Sequence, residues 1–284
     1  MQIKIMTDGG SDLPKHVKDQ YDVTIVPLNI HFGEEQYVSG VNLDIQTFYK
    51  KMREQEELPR SSAPSPYAFY EAYKEVDASK PILMLSLSKE LSTTYHNALM
   101  AKDMILEEEP DRQIVVLNTR TATSGMSLLV NEAGQCVKQG MAFDELIHHI
   151  EERISKISTL FILRTVENLI KGGRLDRVKG TIAKTLNIKL LMKGSPEGKI
   201  EVAEKIRGNK KAMRRFVDQI ADNTSNFENK TYSLSYSTTS EKAEAFLEEI
   251  KARYPFKETL LMEMGPLCAT YAGEDGFVMA FFRD

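Results

Sequence analysis

Apolar runs at 2–6, 23–29, 81–86 and 114–118 alternate with segments near 44–55, 66–76, 93–107 and 124–139 whose apolar residues recur every three or four positions. Short apolar runs read as strands and the 3.6-residue period as amphipathic helices, so the first half predicts an open α/β sheet with helices on both faces. Strand-like runs at 158–163, 188–192, 199–203, 231–236, 259–263 and 276–282 dominate the second half, with two strong helical patterns near 210–222 and 240–253. Val166, Leu169 and Ile170 add a short helix ended by Gly172. More strands per helix implies an α+β layer there. A helix carrying Leu146, Ile147, Ile150 and Ile154 leads from one half to the other. The chain therefore divides into an N-terminal α/β domain, 1–155, and a smaller C-terminal α+β domain, 156–284.

Several predicted strands end in small polar residues: Asp8-Gly9-Gly10-Ser11, Ser86, and Asn118-Thr119. In open α/β sheets the crevice beyond the strand carboxyl ends is where ligands sit. The densest such point is Ser86-Leu87-Ser88-Lys89-Glu90-Leu91-Ser92-Thr93-Thr94-Tyr95, which joins a strand to a helix. Hydroxyls and unsatisfied backbone N–H groups meet there and suit a phosphate or a carboxylate. Ser61-Ser62-Ala63-Pro64-Ser65 is a second hydroxyl cluster before a helix, and Gly172-Gly173-Arg174 supplies a cation able to neutralise an anion. Asp8 either orients hydroxyls at a strand end or caps, and Asp12 is predicted to cap the helix that follows it.

Composition narrows the chemistry. The 284 residues are 42% hydrophobic and 27% charged, with a net charge of −4, which argues against a nucleic-acid binder needing a basic stripe. Cys136 and Cys268 show no metal-type spacing, so a reduced intracellular protein with no metal and no disulfide is expected. Met1-Gln2-Ile3-Lys4-Ile5-Met6 reads as a strand without a signal-peptide core, which predicts the cytoplasm. No run approaches the about 18 apolar residues of a membrane span, leaving only peripheral membrane contact. Phosphate-binding glycine loops, dinucleotide fingerprints, zinc-protease and nucleophile-elbow motifs are missing, so no cofactor is predicted. The five histidines have no ligand-spaced partners: His148 and His149 are neighbours on a helix and diverge. Ser86-Leu87-Ser88-Lys89 fits Ser-x-x-Lys without its companion motifs. The reading from another class is thus a serine-dependent hydrolase using Ser86 or Ser92 with Lys89. A binder of an amphipathic anion requires no such nucleophile.

Taken in order, Thr7-Asp8-Gly9-Gly10-Ser11-Asp12-Leu13, Ser61-Ser62-Ala63-Pro64-Ser65, Leu85-Ser86-Leu87-Ser88, Leu91-Ser92-Thr93-Thr94-Tyr95, Asn118-Thr119-Arg120 and Leu169-Ile170-Lys171-Gly172-Gly173-Arg174 resemble the DegV family of bacterial fatty-acid-binding proteins. The resemblance implies two domains enclosing one long-chain fatty acid in a tunnel between them. Its carboxylate would be held by hydroxyls at Ser61, Ser62, Ser92 and Thr93. It further implies a non-enzymatic carrier in phospholipid metabolism, presenting the acid to a fatty-acid kinase partner that binds the ATP. Arg207-Gly208-Asn209-Lys210-Lys211 matches a basic stretch of the family, making Arg207 a candidate partner or membrane contact. The chain departs from the family at Gly9, Ala63 and Thr93, and most at Tyr271, which stands where many members have a histidine near the carboxylate. Glu274 and Asp275 add negative charge beside it.

Overall fold

The computed structural model describes residues 3–55, 57–175 and 187–284. From the N-terminus the elements are β1 (Lys4–Asp8), α1 (Lys15–Gln20), β2 (Thr24–Val26), β3 (Asn29–Phe32), β4 (Glu35–Val38), α2 (Ile45–Glu54), β5 (Arg60–Ser62), α3 (Pro66–Lys74), β6 (Ile82–Ser86), α4 (Thr94–Glu108), β7 (Ile114–Asn118), α5 (Ser124–Lys138) and α6 (Phe143–Lys156). They continue as β8 (Ile157–Ile162), α7 (Glu167–Lys171), β9 (Ile188–Gly194), β10 (Ile200–Arg207), α8 (Asn209–Asn223), β11 (Thr231–Tyr236), α9 (Ser240–Arg253), β12 (Glu258–Glu263), α10 (Pro266–Ala272) and β13 (Phe277–Phe282).

The first sheet is parallel, in the order β2-β1-β6-β7. All five residues of β6 are buried, as a central parallel strand covered on both faces requires. Because side chains alternate along a strand, Met6, Met84 and Val116 pack on Phe69, Tyr73 and Ile105 of α3 and α4. Their neighbours Ile5, Leu83 and Leu117 pack on Leu128 and Leu129 of α5 and on Ile150 of α6. The second sheet has the order β10-β9-β8-β13-β11-β12 and is antiparallel except between β11 and β12. Here Leu160 and Ile162 meet Phe216 and Ile220 of α8 and Phe246 and Ile250 of α9, while Phe161 and Leu163 face the other way.

Helix α5 lies between the sheets and packs against strands of both, so it has no solvent face over most of its length. Leu128 and Leu129 join Ala280 and Phe282 of β13 in the same cluster as Ile5 and Leu83 of the first sheet. Burial of one such leucine contributes about 1.5–3 kcal/mol.

Two expectations change. The 23–29 run is not one strand: Pro27 has no N–H to donate, so the parallel ladder stops at Val26 and β3 opens a separate antiparallel sheet, β4-β3-β5. Asp12 does not cap α1, whose N-cap is Pro14 without a side-chain bond. It takes a left-handed conformation, φ 48°, and its Oδ1 accepts instead from Gly265 N at 2.9 Å, just before α10. The residue as a whole is part-buried, but its Oδ2 is shut off from solvent and has no hydrogen-bond partner.

Candidate functional site

Between the sheets lies a cleft with about 900 Å³ of empty space, its open mouth included. Its walls are largely aliphatic: Leu28 and Leu87 come from the first half, Leu163 and Val278 from the second sheet, and Met264 and Leu267 from the approach to α10 and the helix itself. Strand β8 supplies its inward phase, Thr159 and Phe161, continued by Leu163 just past its end, as strand alternation dictates.

Polar groups converge at one corner. The Ser61 and Tyr271 hydroxyls are 2.6 Å apart, and the Arg174 guanidinium lies over the Tyr271 ring, 5.0 Å from its centroid. Arg174 is held there by donating to Leu91 O at 3.2 Å and to Gly172 O at 2.6 Å. Gly172 is required for this packing: a Cβ there would fall 2.6 Å from Tyr271 Cε1. Ser92, next in the chain to Leu91, whose carbonyl holds Arg174, also lines the cleft, its Oγ 2.8 Å from Thr94 Oγ1 at the start of α4. Hydroxyls, a phenol and a cation together suit a carboxylate or another anion.

Of the residues singled out in the sequence, Ser61, Ser92, Arg174 and Tyr271 line the cleft, whereas Ser62 and Thr93 do not. The pair Ser61-Ser62 splits because β5 alternates. Ser61 pairs with Ile30 and turns inward, and exposed Ser62 bonds His31 Nε2 at 2.9 Å. Thr93 is exposed, and its carbonyl accepts from Asn97 N in the first turn of α4. Arg207 is exposed at the end of β10, outside the cleft lining. Glu274 is met by Arg53 of α2, whose Nε donates to it at 2.9 Å.

Asp8 organises rather than lines the site. Its Oδ1 accepts from Gly10 N at 2.9 Å, and its Oδ2 from Ser86 Oγ at 2.9 Å and Leu87 N at 2.8 Å, which ties the end of β1 to the turn after β6. Burial pushes its carboxyl up to about 6 against the opposing pull of these bonds. The Ser86 hydroxyl is thereby directed at a carboxylate in the buried interior. Among the described residues no hydrogen bond joins Ser86 or Ser92 to exposed Lys89, so the Ser-x-x-Lys match is not assembled as a dyad.

The sequence did not signal a second polar group in the lining, Thr121, Thr123 and Thr159. Thr121 and Thr159 share a hydrogen bond of 2.8 Å across the two halves, and Thr123 donates to Ser235 at 2.6 Å. Ser88 donates to Gly198 O at 2.9 Å over the same seam. These partners are 38 to 112 positions apart, beyond any local pattern.

Asp12 gives the seam a pH signature. Burial pushes its carboxyl up to about 6, opposed by the neighbouring Cys268 and Thr123 side chains and by the hydrogen bond from Gly265 N. An acid with a raised folded-state value is fully tolerated below the unfolded value near 3.8 and costs stability as pH rises through about 6. Asp12→Asn keeps an oxygen for Gly265 and carries no charge. It is expected to flatten the stability profile between pH 4 and 6.5 by up to about 3 kcal/mol. Urea unfolding at pH 4.5 and 7 checks this; a profile unchanged by the substitution refutes it.

The sequence model of the family described as "Uncharacterised protein, DegV family" matches residues 2–284. A DegV domain-containing protein of Streptococcus pyogenes serotype M1 is 31% identical over 283 residues, covering 99% of both chains. A DegV-family protein of Ruminococcus gnavus, solved with vaccenic acid, superposes with a TM-score of 0.92 at 30% identity, covering 99% of each chain. The Streptococcus pneumoniae fatty acid kinase (Fak) B3 protein, loaded with linoleic acid, superposes with a TM-score of 0.88 at 28% identity over 100% of both chains. The fold expected from the sequence, an α/β half joined to an α+β half, is the one these structures share. The chain belongs to the DegV family.

Proposed function

We propose that this protein binds one long-chain fatty acid in the cleft, its carboxylate at the corner made by Ser61, Ser92, Arg174 and Tyr271, and presents it to a fatty-acid kinase. The observation that carries the reading is an apolar cleft with hydroxyls and one guanidinium gathered at a single corner. Burying about a dozen methylenes at about 0.8 kcal/mol each gives on the order of 10 kcal/mol before ordering costs. An anion entering such a site needs compensating donors, which the corner provides. In this arrangement Ser62 acts through the position of β5 and Thr93 through the first turn of α4. We divide the chain at 155/156, in the last turn of α6 and just ahead of β8, which opens the second sheet. The exposed basic stretch from the end of β10 into the start of α8, Arg207 with Lys210 and Lys211, is the proposed kinase or membrane contact. Among the described residues no helix is long and apolar enough to cross a membrane. An ATP-using partner places the carrier in the cytoplasm.

Native mass spectrometry of the protein purified from a bacterial host should show one fatty acid released on denaturation. An empty cleft or a polar ligand refutes the reading. Tyr271→Phe and Ser61→Ala, each removing one hydroxyl from an ionised head group, are expected to weaken retention about tenfold or more. Reconstitution with a partner kinase and labelled ATP should yield acyl phosphate, and none from any partner counts against the kinase step.

A further inference from the structure

Between α5 and α6, away from the cleft lining, Glu132, Cys136 and His149 bring a carboxylate oxygen, Sγ and a ring nitrogen within 4.8 Å of one another. Glu132 and Cys136 are four residues apart on α5 and share a face; His149 reaches them from α6. His149 Nε2 already sits 2.8 Å from Glu132 Oε1. The Cys136 side belongs to the buried core, whereas the Glu132 and His149 side chains are 16% and 27% exposed, leaving a path for an ion. Linear spacing could not show this, because the ligands come from two helices and only one of the two cysteines takes part.

We propose that Glu132, Cys136 and His149 form a zinc-binding site that pins α5 to α6, with water as the fourth ligand. One thiolate, one imidazole and one carboxylate are the donor types zinc takes, at about 2.0–2.3 Å, which requires ligand atoms roughly 3.5 Å apart and so small side-chain rotations here. On binding, the Cys136 thiol gives its proton to solvent and its sulfur bonds the metal; the two anionic ligands then balance the ion's charge. Arg153 decides selectivity. Its Nε donates to the same Glu132 oxygen at 2.8 Å and its guanidinium lies 4.9 Å from the centroid of the Phe282 ring, so it is anchored on both sides. A hard cation would find a single carboxylate already paired with this guanidinium. Only a metal that gains thiolate and imidazole bonds can share it, taking one carboxylate oxygen while Arg153 pairs with the other.

The test uses the full-length protein stripped with a chelator and titrated with zinc alone against a chromophoric competitor. The expected result is one equivalent bound with micromolar affinity or tighter, no competition from millimolar Mg²⁺ or Ca²⁺, and at least tenfold weaker binding in both Cys136→Ser and His149→Gln. Cobalt in place of zinc should give a thiolate charge-transfer band that Cys136→Ser abolishes and Cys268→Ser leaves. Circular dichroism of the two variants shows whether they are folded, and His149→Gln, at a part-exposed position, serves if Cys136→Ser is not. Absence of stoichiometric binding, or binding that persists unchanged in the folded variants, overturns the proposal. Fatty-acid retention is measured separately and has no bearing on either outcome.

Discussion

Gly194→Phe is expected to leave a folded protein that no longer holds a long acyl chain. Gly194 is the last residue of β9 and lines the cleft, and its backbone has no left-handed demand. A Cβ built there meets nothing closer than Thr159 Cβ at 3.8 Å, ordinary van der Waals contact. The ring must therefore go into space that the proposed ligand occupies. If it displaces about four methylenes, about 3 kcal/mol of binding is lost, roughly a hundredfold in Kd, with the melting temperature of the unliganded protein little altered. Mass spectrometry of the purified variant, beside thermal unfolding after delipidation, reads both. A variant that copurifies with the same acid at full occupancy would show that the acyl chain runs elsewhere.

Gly198→Val should do the reverse, harming the fold first. Gly198 adopts φ +95°, and a Cβ there would lie 2.3 Å from Ser88 Oγ and 2.8 Å from Arg120 Cα. Its carbonyl is also the acceptor for Ser88 across the seam. The left-handed backbone alone costs on the order of 1–2 kcal/mol for a residue with a side chain, and a β-branched one adds to it. The overlap with Arg120 is with backbone and cannot be relieved by a rotamer change. We expect at least 3 kcal/mol of destabilisation and a cleft that no longer closes, measured by denaturant unfolding. Stability equal to that of the parent would mean that the 195–199 turn moves without consequence. Together the two glycines separate blocked binding from failed assembly.

Hydrophobic periodicity marked the long elements because their burial is regular: α5, α9 and β11 lie close to where their apolar residues place them. It missed β4 and α10 for opposite reasons. Glu35-Gln36-Tyr37-Val38 is a short strand of exposed and part-exposed residues, with little burial to read. Pro266-Leu267-Cys268-Ala269-Thr270-Tyr271-Ala272 is a seven-residue helix largely buried around its circumference, so no single stripe appears. At the site, the residue types of the corner were legible but their phase was not. A three-residue strand such as β5 is too short to say which serine of Ser61-Ser62 faces inward, and that depends on its register with β3. Nor could the sequence show the Ser61–Tyr271 contact, between positions 210 apart.

The position of α5 constrains how any ligand exchanges. A cleft between two bodies joined by a hinge opens when the bodies swing apart. Here one helix is packed into both sheets, and Thr123 and Thr121 at its N-terminal end are bonded to Ser235 and Thr159 of the second. Swinging the halves apart would strip α5 from one of them and expose leucines 128 and 129 to water. Traffic into and out of the cavity must therefore proceed by small displacements at its rim, with the two sheets stationary.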